Sequence, residues 1–286
     1  MQTMAMIAVV WGFIGVLVRW VGLPAVVIVA ARTSLGSLTL LAPREPRRIV
    51  VAARSSRASL MGFVVLGVLL AVHWLTLVAA QQRAPIGTVL LIVYLAPVLV
   101  TALAPAVLDE RVDRTTILAL VVAVAGLAIL VRPRSTDRTG VILAMCSAVA
   151  YATMTLCTKR LVSTVAPEAL ALGQLIVASI VLAPFAASAS WGPAHLRWLW
   201  LVALGVGFTG LLLPRYFAVL EALPASVVGV LGELEPVAAV LFAWLFLHDR
   251  PTVRTVLGGV LVVVAGIMVL RAAGARTDRS PRVVVP

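Results

Sequence analysis

Six strongly polar side chains interrupt runs that are otherwise apolar: Arg32, His73, Gln174, Arg215, Glu233 and Glu235. Glu235 stands directly before Pro236. Proline removes a backbone donor and disfavours helical geometry in the residue before it, so it opens a helix locally. A carboxylate at such an opening can take up and release a proton, or accept a substrate ammonium. Glu233 lies two residues earlier, about 200° around a helix from Glu235. The two acids therefore face different walls, one toward an interior space and the other toward a neighbouring helix, with Arg32 or Arg215 as its partner. Arg32 needs a carboxylate partner or a substrate anion, because a guanidinium at the centre of a span costs about 2.5–3.5 kcal/mol on insertion scales. Gln174 sits at a comparable depth in its own apolar run. His73 suits a proton relay, since imidazole titrates near neutrality, but a lone histidine inside an apolar run is more often an interior group with its hydrogen bonds satisfied. Trp11, Trp74, Tyr94, Tyr151 and Tyr216 add amphipathic aromatics inside the spans, with Arg215 and Tyr216 within about a turn and a half of the end of theirs.

Those side chains belong to a chain of 286 residues that is 62% hydrophobic and 12% charged, with a mean hydropathy of +1.12. Soluble domains carry roughly a quarter charged residues, so this composition describes a polytopic membrane protein. The net charge of +12 is spread over short loops rather than one face. That distribution argues for membrane topology and against nucleic-acid binding. Cys146 and Cys157 fall about 16 Å apart on one helix at ~1.5 Å per residue, too far to pair. No Cys/His spacing suits a metal, no catalytic constellation is present, and no Walker motif supports an ATP-driven pump. Neither cofactor nor metal is expected. The first apolar run has no basic residue before it and reads as a retained helix rather than a signal peptide.

Charges and Pro/Gly clusters divide the chain into ten apolar spans, at about 4–20, 24–42, 59–80, 85–108, 115–131, 140–158, 167–187, 197–220, 224–247 and 253–270. With the N-terminus inside, thirteen basic residues fall in inside segments and eight outside. The bias places both termini in the cytoplasm.

One stretch occurs twice. Pro85, Pro97, Glu110-Arg111 and Ala125-Gly126 recur as Pro224, Pro236, Asp249-Arg250 and Ala265-Gly266, at an offset of 139 that slips to 140 in the last loop. Trp11 matches Tyr151, and Arg19 matches Lys159, at offset 140. Five spans per half is an odd number, so the second half enters the membrane inverted. That arrangement puts a binding site between the halves near the midplane. Glu233 aligns with Tyr94 and Glu235 with Ala96, so the acids break the symmetry.

The stretches YLAPVLVTALAPAVLDERV and LEPVAAVLFAWLFLHDR…GGVLVVVAGIMVL resemble the repeats of EamA-type transporters of the drug/metabolite transporter superfamily, over essentially the whole chain. Asp249 stands where that family usually carries Glu. The resemblance implies an all-α membrane protein with ten transmembrane helices as two inverted five-helix repeats, and cytoplasmic termini. Its parts are repeat 1 over 1–138, repeat 2 over 139–271, and a disordered basic cytoplasmic tail over 272–286. The expected activity is secondary transport of a small polar metabolite across the plasma membrane, an amino acid or related compound, with export and proton coupling favoured. An uncoupled carrier of sugars, nucleosides or drugs stands as the alternative, and an intramembrane enzyme on lipid-linked substrates as the rival of another class. The substrate- or proton-binding set is Glu233, Glu235, Arg32, His73, Gln174, Tyr94, Trp11 and Tyr151. Pro97, Pro236, Glu110 and Asp249 are expected to shape helix breaks and gates. The expected partners are the metabolite, protons and the lipid bilayer, without nucleic acid; a homodimer is left open.

Overall fold

A computed structural model describes residues 1–41, 57–84, 86–130, 137–192, 197–248 and 250–279. Among these the chain is helical throughout: α1 Gln2–Gly12, α2 Ile14–Val21, α3 Ala25–Leu41, α4 Arg57–Arg83, α5 Ile86–Val93, α6 Ala96–Leu108, α7 Arg114–Leu130 and α8 Arg138–Leu161 in the first stretch. There follow α9 Pro167–Ala187, α10 Arg197–Val202, a π-helix Ala203–Leu211, α11 Leu212–Ala222, α12 Ala225–Gly232, α13 Leu234–Leu247 and α14 Val253–Arg279. Seven helical stretches are long and apolar enough to cross a membrane, and Ala25–Leu41, Ala96–Leu108 and Arg114–Ile129 are shorter apolar helices.

Apolar side chains point outward as well as inward. Met6, Leu60, Ile117, Ile142, Ile180 and Val253 are all exposed, a surface that only a hydrocarbon solvent accommodates. With no hydrophobic force between helices in lipid, close packing must hold them together, and small residues permit it. A Cβ on Gly12 would fall 2.6 Å from Ala238 Cβ and 2.8 Å from the Glu235 carbonyl oxygen, so α1 lies directly on α13. A Cβ on Gly126 would fall 2.7 Å from the Gly258 carbonyl oxygen, which fixes α7 against α14. The halves interlock: α1 packs on α13 as α8 packs on α6, and α3 packs on α9.

Two spans break ahead of their prolines. Between α5 and α6 the chain turns at Tyr94 and Leu95, and between α12 and α13 at Glu233. Pro97 and Pro236 cannot donate to the carbonyl four residues back, and the broken turn relieves that loss. The same two spans end alike, in left-handed residues at Asp109 (φ 54) and His248 (φ 59). Left-handed geometry is uncommon outside glycine, and Asp and His are among the residues that tolerate it best.

The last helix continues to Arg279. Helix α14 thus takes in residues 272–279, the first part of the tail expected from the sequence. Residues 280–286, Asp249 and the basic loop 42–56 lie outside the described residues.

Candidate functional site

Arg32 projects from the middle of α3, and two elements hold it. Its Nε–H donates to the Thr209 hydroxyl at 2.6 Å, and the Trp74 ring of α4 lies beneath the guanidinium, 4.0 Å from Cζ to the ring centroid. Stacking on an aromatic face suits a partly desolvated cation. Thr209 belongs to the π-helix and donates its own hydroxyl hydrogen to the Leu204 carbonyl five residues back, at 2.9 Å. The wide turn also turns the Phe208 carbonyl aside, where Trp11 Nε1 donates to it at 3.0 Å. π-helices are rare and recur at functional sites because they re-aim groups that an α-helix would bury in its own ladder.

Glu235 is half-buried in the first turn of α13. The Tyr94 phenol is turned toward its carboxyl group. Arg32 and Glu235 act on each other electrostatically, yet no ion pair joins them and the arginine remains half-buried. Tyr151 and Tyr216 bring their hydroxyls together, with Thr155 beside Tyr216. Trp11 packs on Tyr216 with centroids 5.3 Å apart. Arg32, Trp74, Tyr94 and Trp11 from the first half thus converge with Tyr151, Thr209, Tyr216 and Glu235 from the second.

Glu233 is fully buried, and among the described residues neither carboxyl oxygen has a hydrogen-bond partner. The sequence led us to expect a basic partner for one acid. Arg215 does not serve, because it turns outward and bonds the Leu211 carbonyl at the end of the preceding π-helix at 2.5 Å. Glu233 lies instead near Glu235, Tyr94 and Tyr151. Its backbone N–H caps α12 on Gly229 and Val230, which places the side chain at the broken turn.

His73 and Gln174 are set back from this centre. His73 Nδ1 contacts Ser147 Oγ at 2.8 Å, and Ser147 Oγ–H donates to the His73 carbonyl at 3.1 Å. The imidazole stacks on Tyr151 with centroids 4.9 Å apart, so it backs the tyrosine. Gln174 is completely buried between α4 and α8: its Nε2 donates to Met154 Sδ at 3.1 Å and its Oε1 has no partner among the described residues. Equal depth in the sequence does not give it the surroundings of Arg32, because a Cβ on Gly67 of α4 would lie 2.9 Å from the Gln174 carbonyl oxygen and leaves no opening beside it.

At one end of the bundle a second cluster ties the halves together. Lys159 Nζ, at the end of α8, donates to the carbonyls of Leu220, Glu221 and Leu223 at 2.7, 3.1 and 2.8 Å. It also lies 3.5 Å from Glu110. The other Glu110 oxygen accepts the Ala225 N–H at 2.8 Å. Both side chains of the pair are about 15% exposed, and a cavity of about 290 Å³ beside them is lined by Leu108, Asp109, Glu110, Lys159, Ser163 and Glu221. The repeat-related position, Arg19, is exposed.

Sequence reasoning missed Thr209, Tyr216 and Lys159. Counting residues put Tyr216 near a helix end; the π-helix and the aromatic contacts bring it to the centre. Gly205, Gly207 and Gly210 were the available signal for irregularity in that span. Among the described residues no group of His, Cys, Asp and Glu could hold a metal.

This pairing of two like halves has known relatives. A solved crystal structure superposes with a TM-score of 0.79 at 20% identity, covering 97% of this chain and 98% of the other; that likeness concerns the fold alone. An uncharacterized transporter of Archaeoglobus fulgidus is 26% identical over 262 residues, 92% of each chain. A pseudopaline exporter of Pseudomonas aeruginosa is 30% identical over 255 residues, 87% of each chain. The family model of EamA-like transporters matches twice, over residues 2–132 and 138–271. With both halves matched in turn, and the two meeting around Arg32 and Glu235, the chain belongs to the EamA-like transporter family.

Proposed function

We propose that this membrane transporter is a secondary carrier that moves a small polar metabolite, an amino acid or a related compound, by alternating access. The observation that carries the reading is the pair Arg32 and Glu235. Opposite charges from opposite halves face each other at mid-span without closing into an ion pair. Each charge is costly there unless something answers it, and a substrate carrying both charges would answer both. Uncharged sugars or nucleosides would leave both groups uncompensated, so the observation disfavours them.

In this reading the seven long and three shorter apolar helices make ten crossings in two inverted sets of five, with both termini cytoplasmic in the plasma membrane. The basic bias of the loops supports that orientation. The Glu110–Lys159 cluster is then a closed cytoplasmic gate. Pro97 and Pro236 give the broken turns on which the spans bend, and Asp249 is the repeat counterpart of Glu110 in the sequence. Export fits the relative that exports pseudopaline. Proton coupling is assigned to Glu235 or Glu233, the carboxylates beside the break in the ninth crossing.

The test is transport in proteoliposomes with and without a pH gradient. A gradient is expected to accelerate wild-type transport of labelled amino acids, and Glu235→Gln to lose that response. Equal rates in wild type with and without the gradient would remove proton coupling.

A further inference from the structure

Arg32 is held on two sides and left open on the third. Thr209 fixes its Nε edge at 2.6 Å. Trp74 covers one face at 4.0 Å. The bond at Nε and the ring beneath it restrict both rotation of the guanidinium within its plane and tilt toward the ring. Its two η nitrogens donate to no described residue, and the side chain keeps partial exposure. An arginine serving only to tie helices would spend those donors on carbonyl oxygens, as Lys159 spends its own on Leu220, Glu221 and Leu223. The Thr209 hydroxyl that does the holding is itself fixed by its bond to the Leu204 carbonyl, a five-residue step that the π-helix supplies and an α-helix does not.

We propose that the open edge of Arg32 is a carboxylate receptor, and that Glu235 with Tyr94 receives the ammonium of the same substrate. The inference deepens the transport reading above and rests on it. Two parallel N–H donors in a rigid fork match a carboxylate, and the match is bidentate. The opposite end is acidic, so a substrate with negative charge at both ends is repelled and an α-amino acid pattern is accepted. Thr209 and Trp74 are positioning residues: they touch the guanidinium and set the direction of its fork.

The experiment is counterflow in proteoliposomes of the full chain, using a radiolabelled mixture of the proteinogenic amino acids. Competitors are the same mixture unlabelled, its methyl esters and its N-acetyl derivatives. We expect esters and N-acetyl compounds to compete at least about tenfold more weakly than the parent mixture, since each leaves one buried charge unanswered. Thr209→Val keeps the side-chain shape and removes the acceptor for Nε. It is expected to raise KM several-fold and narrow the gap between acids and esters, with kcat nearly unchanged. Arg32→Gln should abolish the discrimination against esters, and its thermal melt reports whether it folds. Equal competition by esters and acids in wild type overturns the proposal, as does a Thr209→Val protein with unaltered KM and ester discrimination. Exchange of labelled sugars or nucleosides without any amino acid exchange also overturns it, while leaving alternating access intact. No exchange of any labelled solute removes the transport reading itself.

Discussion

The broken turns at Tyr94–Leu95 and at Glu233 are the same backbone device loaded with different chemistry. The residues that open the following helices have like geometry, Leu95 with φ −75 and ψ −10 and Glu233 with φ −62 and ψ −9, although they lie one position apart in the repeat alignment. The helices that follow them close on left-handed caps, at Asp109 with ψ 23 and His248 with ψ 20. The first turn carries a phenol and a buried methyl group at Tyr94 and Ala96; the second carries two carboxyl groups. Duplication therefore accounts for the break, and the acids are a departure from it. What both copies share builds the bend, and what one copy alone holds is where charge chemistry can be done.

The strongest way to break this comparison is to remove the departure. Glu235→Ala makes the second turn resemble the first at that position, and transport should fall on the order of a hundredfold with the fold retained. Unchanged transport with Glu235→Ala would return the acid to a structural role. The reverse exchange attacks stability instead. Ala96 is 1% exposed, so Ala96→Glu buries a carboxyl group with no described partner, at a cost of about 3 kcal/mol or more. A thermal melt in detergent should drop clearly, whereas a tolerated acid there would mean that the first turn can also hold charge.

A smaller effect is expected at the proposed gate. Lys159→Gln removes charged hydrogen bonds of about 1.5–3 kcal/mol each from the end tied by Glu110. In a background without Cys146 and Cys157, a cysteine at Ser163 should react with a polar thiol reagent several-fold faster than in the Lys159 protein. Equal labelling rates would show that the cluster does not hold that end closed. The smallest effect is expected at His73. His73→Gln loses the stack on Tyr151 and should cost about 1 kcal/mol of stability, with the pH dependence of transport unmoved; a shifted pH profile would make the histidine a proton relay after all.

Arg32 and Glu235 were legible in the sequence because a charge inside an apolar run is expensive anywhere in the fold. The two bends were legible because proline acts locally. Thr209 and Tyr216 were not, since the π-helix changes the step from four residues to five and turns side chains away from the face that counting assigns. Lys159 was visible only as the repeat partner of Arg19; its acceptors are backbone carbonyls, which no side-chain pattern announces. Gln174 shows the limit of depth as a guide. It sits as deep in α9 as Arg32 does in α3, but the close approach of α4 at Gly67 closes the space that Arg32 retains.

The central claim, that the carboxyl groups unique to the second half exchange a proton for substrate, is tested most directly by proton release. Purified protein in weakly buffered detergent solution is mixed with the amino acid mixture while a pH-indicating dye is followed. Proton release on binding is expected from the wild type, and its loss in Glu235→Gln, Glu233→Gln or the double variant. Release of equal size in all three variants, or binding by the wild type with no release, would contradict it.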